Sequence, residues 1–202
     1  MKNRVLYLLG CAAPPVVYAD RAVREAQARG WDVCLGVTPT ARDWLEGRLP
    51  ELERLTGHPV RSAYRALGTP DVWPRADVVV VAPATLNTVN ACALGIATTF
   101  VAGFTMEAIG KRIPLVVMPC VNSAYARHPQ FGRSLETLRE AGARVLYGPG
   151  GFVPNPPGQG RPEEYPWRLA LAAAGQLAGA GADTGGDTGG DGGGDGTAGP
   201  AE

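Results

Sequence analysis

Asp77-Val78-Val79-Val80-Val81-Ala82-Pro83-Ala84-Thr85-Leu86-Asn87-Thr88 decides how this chain folds. Four consecutive valines without polar alternation suit a strand buried on both faces, hence a central strand of a parallel sheet covered by helices. After the valines come small residues and three side chains with polar heads, Thr85, Asn87 and Thr88, just before a helix-length stretch. One hydroxyl is enough to cap that helix. The additional hydroxyl and amide are costly to bury unpaired, so their presence at a strand end suits a polar, planar ligand.

Outward from this centre, strand-length apolar runs alternate with amphipathic stretches, the pattern of a βαβα chain. The runs predict strands at Val5–Leu9, Val33–Val37, Val60–Tyr64, Val78–Ala82, Leu115–Met118 and Arg144–Leu146. Helices are expected at Val16–Ala28, Ala41–Leu55, Asn87–Ile109, Phe131–Ala141 and Pro166–Ala178. The fold class implied is α/β, a Rossmann-like or flavodoxin-like doubly wound parallel sheet in three layers. In such sheets ligands sit beyond the carboxyl ends of the strands near a topological switch point.

Two further loops reach that edge. Gly10-Cys11-Ala12-Ala13-Pro14-Pro15 uses small residues where a backbone could approach a ligand phosphate at a helix end, although it matches neither a G-x-G-x-x-G nor a P-loop. In Thr38-Pro39-Thr40-Ala41-Arg42-Asp43, Thr40 is expected to cap the helix, which leaves Thr38 free to face a phosphate.

Composition narrows the partners. Lys plus Arg and Asp plus Glu balance at 19 each in 202 residues, so no net field draws the chain to nucleic acid or to an anionic membrane surface. The apolar run near the N-terminus stops at Gly10, too early for a signal-peptide core or a membrane span, and a cytoplasmic location is expected. Cys11, Cys34, Cys92 and Cys120 form no C-x-x-C pair, are expected to be reduced, and suggest no metal site. One domain is expected over residues 1–178. Beyond it, residues 179–202 are almost wholly Gly, Asp, Thr and Ala and are expected to be a disordered tail.

At Ala82 to Thr88 the sequence resembles the P-A-S/T-A-N-T motif of the homo-oligomeric flavin-containing cysteine decarboxylase family, which includes phosphopantothenoylcysteine decarboxylases and peptide cysteine decarboxylases. Gly95-Ile96-Ala97 is similar to the G-I-A of that family. Pro119-Cys120-Val121-Asn122-Ser123-Ala124-Tyr125 is similar to its P-x-M-N-x-x-M, and Arg127-His128-Pro129 to the E-H-P that comes next. The resemblance implies FMN as cofactor, the phosphate held by the loops containing Gly10 and Thr38, and the ring by Pro83, Ala84, Thr85, Asn87 and Thr88. It also implies a homotrimer or a dodecamer of trimers, with each flavin near a protomer boundary.

The same resemblance implies oxidation of a cysteine Cα–Cβ unit with hydride passing to flavin, then loss of carbon dioxide. Asn122 would grip the substrate carboxylate of a small molecule or of a peptide C-terminal cysteine. The family's catalytic histidine corresponds to Thr69, eight residues before Asp77, and a hydroxyl does not titrate near neutral pH as imidazole does. Of the two histidines, His58 precedes an expected strand and His128 matches a helix-capping position. Val153-Pro154-Asn155 stands where the phosphopantothenoyl branch has A-C-G, which makes phosphopantothenoylcysteine a poor candidate substrate. Two other readings stay open: a noncatalytic flavin-binding or regulatory subunit, and a flavin prenyltransferase, for which Lys111-Arg112-Ile113-Pro114-Leu115 is the only hint.

Overall fold

A computed structural model describes residues 4–183. Five parallel strands, β1 (Arg4–Gly10), β2 (Trp31–Val37), β3 (Val78–Ala84), β4 (Leu115–Pro119) and β5 (Arg144–Val145), form one sheet in the order β2-β1-β3-β4-β5. The order reverses between β1 and β3, which puts the switch point beside the valine-rich strand. All seven residues of β3 are buried, as a run with no polar alternation requires.

Strand alternation divides the core in two. Leu6, Leu8, Val78, Val80, Val116 and Met118 face one layer, which holds α1 (Ala19–Ala28), α3 (Leu49–Thr56) and α8 (Trp167–Asp183). Tyr7, Leu9, Val79, Val81, Leu115 and Val117 face the other, with α4 (Leu86–Leu94), α5 (Phe100–Gly110) and α7 (Pro129–Glu140). Two shorter helices, α2 (Pro39–Trp44) and α6 (Ser123–Ala126), come after the carboxyl ends of β2 and β4. The molecule is thus a three-layer α/β sandwich of the flavodoxin-like order.

Several local expectations are corrected. Val60–Tyr64 is not a strand: it contributes a single bridge, Arg61 to Gly36 on the outer edge of β2. Arg61 makes that bridge, its N–H donating to the Leu35 carbonyl (3.2 Å) and its carbonyl accepting from Val37 N–H (2.8 Å), while its side chain stacks over the Trp73 and Phe100 rings and pairs with Asp71 at 3.1 Å; the pairing goes no further along the stretch. The single helix expected over Asn87–Ile109 is two, because Gly95 takes the left-handed conformation (φ 72°) and closes α4. The single helix expected over Ala41–Leu55 is likewise two, α2 and α3, separated by a 3-10 turn at Glu46–Arg48, and α2 starts earlier than expected: its N-cap is Thr38, not Thr40, since Pro39 occupies the first helical position. Finally α8 runs on to Asp183, past the expected boundary at 178, and the Gly/Asp-rich segment from 184 lies outside the described residues.

All four cysteines are unpaired. Burial pushes the thiols of Cys34, Cys92 and Cys120 up to about 12, and that of Cys11 up as well. An unfolded chain ionises its thiols from about pH 8.5, whereas the folded one keeps them protonated, so unfolding releases protons and stability falls as pH rises from there toward 12. The urea midpoint is therefore expected to drop between about pH 8 and pH 10.5, with the native thiols slow toward a disulfide reagent; a midpoint that holds steady would contradict the burial.

Candidate functional site

Where β1, β3 and β4 end, their loops enclose a cavity of about 650 Å³. Its floor is made by backbone ties between strand ends: Cys11 N–H donates to the Pro83 carbonyl (3.0 Å) and Cys120 N–H to the Ala84 carbonyl (2.8 Å). The β3–β4 register shifts between Val81 and Ala84, across Pro83, which has no N–H to give to a ladder. Pro83 and Ala84 are buried and do not line the cavity; they set the spacing of the loops that do.

Thr85 caps α4. Its hydroxyl accepts from Thr88 N–H at 3.3 Å and lies 3.1 Å from the Thr88 hydroxyl. Thr88 is thereby turned inward and buried, while Thr85 and the exposed Asn87 line the cavity. Gly10 does not line it either; a Cβ there would sit 2.9 Å from Val16 Cγ2, so glycine lets the first helical turn close on β1.

Thr38 lies beside Gly10, donating its N–H to the Gly10 carbonyl at 3.0 Å. Its hydroxyl is buried and makes no cap bond, and it is the one buried side-chain polar atom among the described residues with no hydrogen-bond partner. Leaving such a group unpaired costs about 1–3 kcal/mol, which a ligand oxygen would remove.

Asn122 is the N-cap of α6. Its Oδ1 accepts from Ala124 N–H and Tyr125 N–H, both at 3.0 Å. With the oxygen committed to the cap, the amide nitrogen is the group left to donate into the cavity. Thr85, Asn87 and Asn122 are thus brought together, with Gly10, Pro83, Ala84 and Thr88 as their support, while Thr38, next to Gly10, does not line the cavity.

Thr69 is placed elsewhere. It sits on an exposed turn, its hydroxyl donating to the Ala66 carbonyl at 2.7 Å, and is not among the residues lining the cavity. His58 pairs with Asp32 (2.7 Å) at the amino-terminal end of β2, the far edge of the sheet. His128 caps α7, its Nδ1 accepting from Gln130 N–H at 3.2 Å, as its position in the sequence implied.

The cavity's roof is the stretch that the family resemblance marks by the A-C-G position at Val153-Pro154-Asn155. A strap of residues 153–161 crosses the opening, held at one end by Ser123 N–H donating to the Asn155 carbonyl (2.9 Å). At the other end Tyr165, fully buried, donates its hydroxyl to the Met118 carbonyl at 2.7 Å and packs between Phe152 and Trp167. The glycines and prolines of this stretch signal a loop by themselves, and only the resemblance places that loop beside the site. Tyr165→Phe would orphan the buried Met118 carbonyl and is expected to cost about 1–3 kcal/mol of stability; an unchanged urea midpoint would show that the anchor is idle.

Residues 2–165 match the protein-family model described as Flavoprotein. The chain belongs to that family. Among curated proteins it is 28% identical over 133 residues to the coenzyme A biosynthesis bifunctional protein CoaBC of Escherichia coli, covering 63% of this chain and 31% of that protein. The chain thus spans about a third of the length of that relative. Solved structures share the fold. The FMN-dependent cysteine decarboxylase TvaF from thioviridamide biosynthesis superposes with TM-score 0.69 at 22% identity, covering 88% of this chain and 99% of that one. The cypemycin decarboxylase CypD gives 0.65 at 21%, covering 89% and 96%. AnUbiX in complex with FMN and dimethylallyl pyrophosphate gives 0.59 at 14%, covering 71% and 77%. These likenesses support the fold. Among the described residues no helix is long and apolar enough to cross a membrane, and no group of three His, Cys, Asp or Glu side chains could hold a metal ion.

Proposed function

We propose that this cavity binds FMN and that the chain is a flavin-dependent oxidative decarboxylase of a cysteine-like carboxylate, either a small molecule or a peptide C-terminus. Asn122 carries this reading: a side chain whose oxygen is locked by two backbone N–H groups presents a fixed amide donor to a carboxylate. The donor set suits the cofactor. Thr85 and Asn87 beside apolar walls from Ala12, Pro14 and Leu86 suit the rim of a planar ring; the unpartnered Thr38 hydroxyl, next to Gly10 and outside the cavity lining, is a separate buried donor whose chemistry suits a phosphate oxygen.

FMN, when bound, supplies a two-electron acceptor. The chain orients the carboxylate through Asn122 and keeps water out with the strap and the Phe152 and Tyr165 rings. Cys120, at the cavity wall, has its thiol pushed up to about 12 by burial, so near neutral pH it is a thiol and not a thiolate base. A homotrimer or dodecamer, as the family resemblance implies, fits the exposed apolar side chains of Tyr64, Leu94 and Ile96 around the break between α4 and α5.

One observation favours a second reading, a flavin-binding subunit without turnover: no His, Asp, Glu or Lys is among the residues lining the cavity, and Thr69 is outside it. Native mass spectrometry of the purified chain is expected to show one FMN per subunit in a trimer or a multiple of three. Anaerobic addition of a cysteine-terminated peptide is then expected to bleach the yellow colour and release carbon dioxide. Bound FMN with no bleaching by any thiol carboxylate would leave the second reading, and absence of flavin would overturn both.

A further inference from the structure

A carboxylate drawn into a largely apolar cavity needs more than an amide donor. Removing it from water costs several kcal/mol unless a cation answers its charge. Among the residues lining the cavity only one carries a charge, Arg161 at the end of the strap.

The next four residues of the chain fix the position of Arg161. Its carbonyl accepts from Glu164 N–H (3.1 Å), starting the 3-10 turn Pro162–Glu164. Arg21 Nη1 donates to the Glu163 carbonyl at 3.4 Å, tying that turn to α1, and the buried Tyr165 hydroxyl secures the next residue on Met118. Gly158 and Gly160, just before Arg161, leave the strap side free to adjust.

The guanidinium itself is spent on little. Its partner is Glu164, three residues on, at 3.2 Å, and both side chains are largely exposed, at 70% and 61%. Exposed pairs of this kind are worth about 0–1 kcal/mol. Exchange of Glu164 for a ligand carboxylate in a drier place, with two parallel N–H···O bonds, would be a net gain.

Resting on the reading of the cavity given above, we propose that Arg161 gives up Glu164 and pairs with the substrate's carboxylate, supplying the countercharge that Asn122 cannot. The ligand class is therefore an anionic, carboxylate-bearing molecule, and esters or amides of the same skeleton are rejected.

Calorimetry on the full chain as purified tests this without relying on colour or turnover. The probes are N-acetyl tripeptides ending in cysteine or in alanine, each as free acid and as C-terminal amide. The wild-type chain is expected to prefer an acid over its amide, and Arg161→Gln to weaken the acid by about 10- to 100-fold while leaving the amide unchanged. Arg161→Lys should recover part of the loss, and Glu164→Gln should bind the acid as well as or better than wild type. An acid preference that survives Arg161→Gln, or is missing from the wild type, overturns the proposal. So does a variant that loses FMN but holds riboflavin, since the guanidinium would then serve the cofactor phosphate. Arg161-dependent binding of acids without bleaching by the cysteine peptide would keep the proposal and defeat the decarboxylase reading alone.

Discussion

Asn122→Asp is expected to fold like the wild type and to lose at least about 100-fold in affinity for a cysteine-terminated peptide, with turnover falling as far. The substitution separates the two jobs of the side chain. An aspartate can still accept from Ala124 N–H and Tyr125 N–H, so the α6 cap survives. What it removes is the amide donor, and in its place it puts a negative charge before the ligand carboxylate. Juxtaposed like charges cost several kcal/mol, and each ~1.4 kcal/mol is tenfold in binding. Asn122→Ala makes a useful control: it gives up the cap, at about 1 kcal/mol, and the donor, but adds no repulsion. Peptide binding close to wild type in the aspartate variant, with FMN retained, would remove Asn122 from the site.

Gly151→Ala is expected to disrupt the roof more than any other single methyl group in this chain. A Cβ at Gly151 would overlap the Leu146 carbonyl and the Tyr147 nitrogen, backbone atoms that no rotamer change can move. Gly151 also lies in the turn that returns the chain to Leu146: its N–H donates to the Gly148 carbonyl (2.9 Å), and Phe152 N–H donates to the Leu146 carbonyl (3.2 Å). Opening that turn shifts Phe152 and the strap beyond it. The expected result is a loss of about 1–3 kcal/mol in stability, as for other overpacked sites. Peptide affinity should fall about tenfold or more and proteolysis within 148–161 should speed up, while FMN, which the proposed function assigns to the β1 and β3 loops, stays bound. A variant with wild-type peptide affinity and protease resistance would show that the roof plays no part in binding.

The valine run makes the sheet readable because continuous burial leaves no choice of face, and Thr85 and Asn87 stand out as polar side chains among small and apolar neighbours at a strand end, whereas Asn122 is marked only by its likeness to the P-x-M-N motif. For Thr38 the sequence points to a hydroxyl that the structure leaves unpartnered, but to the wrong cap; Pro39, which favours a first helical position, is the signal that makes Thr38 the cap. Val60–Tyr64 has strand composition, yet only Arg61 pairs with the edge of β2 while its side chain reaches two aromatic faces and Asp71, and composition does not show such long-range partners. Arg161 is not legible at all. A charged residue on a Gly/Pro-rich stretch carries no local mark of the cavity it closes, because its role depends on where Ser123 and Met118 pin the chain on either side.

That division of labour separates what can be changed from what cannot. Thr85, Thr88 and the carbonyls of Pro83 and Ala84 are knotted into the strand ends, so rewriting them would unsettle the sheet itself. Residues 156–160 hang between two anchors and support nothing else in the core. Anyone wishing to retarget this scaffold to a different molecule would exchange that short span and leave the valine-rich strand and its helix untouched.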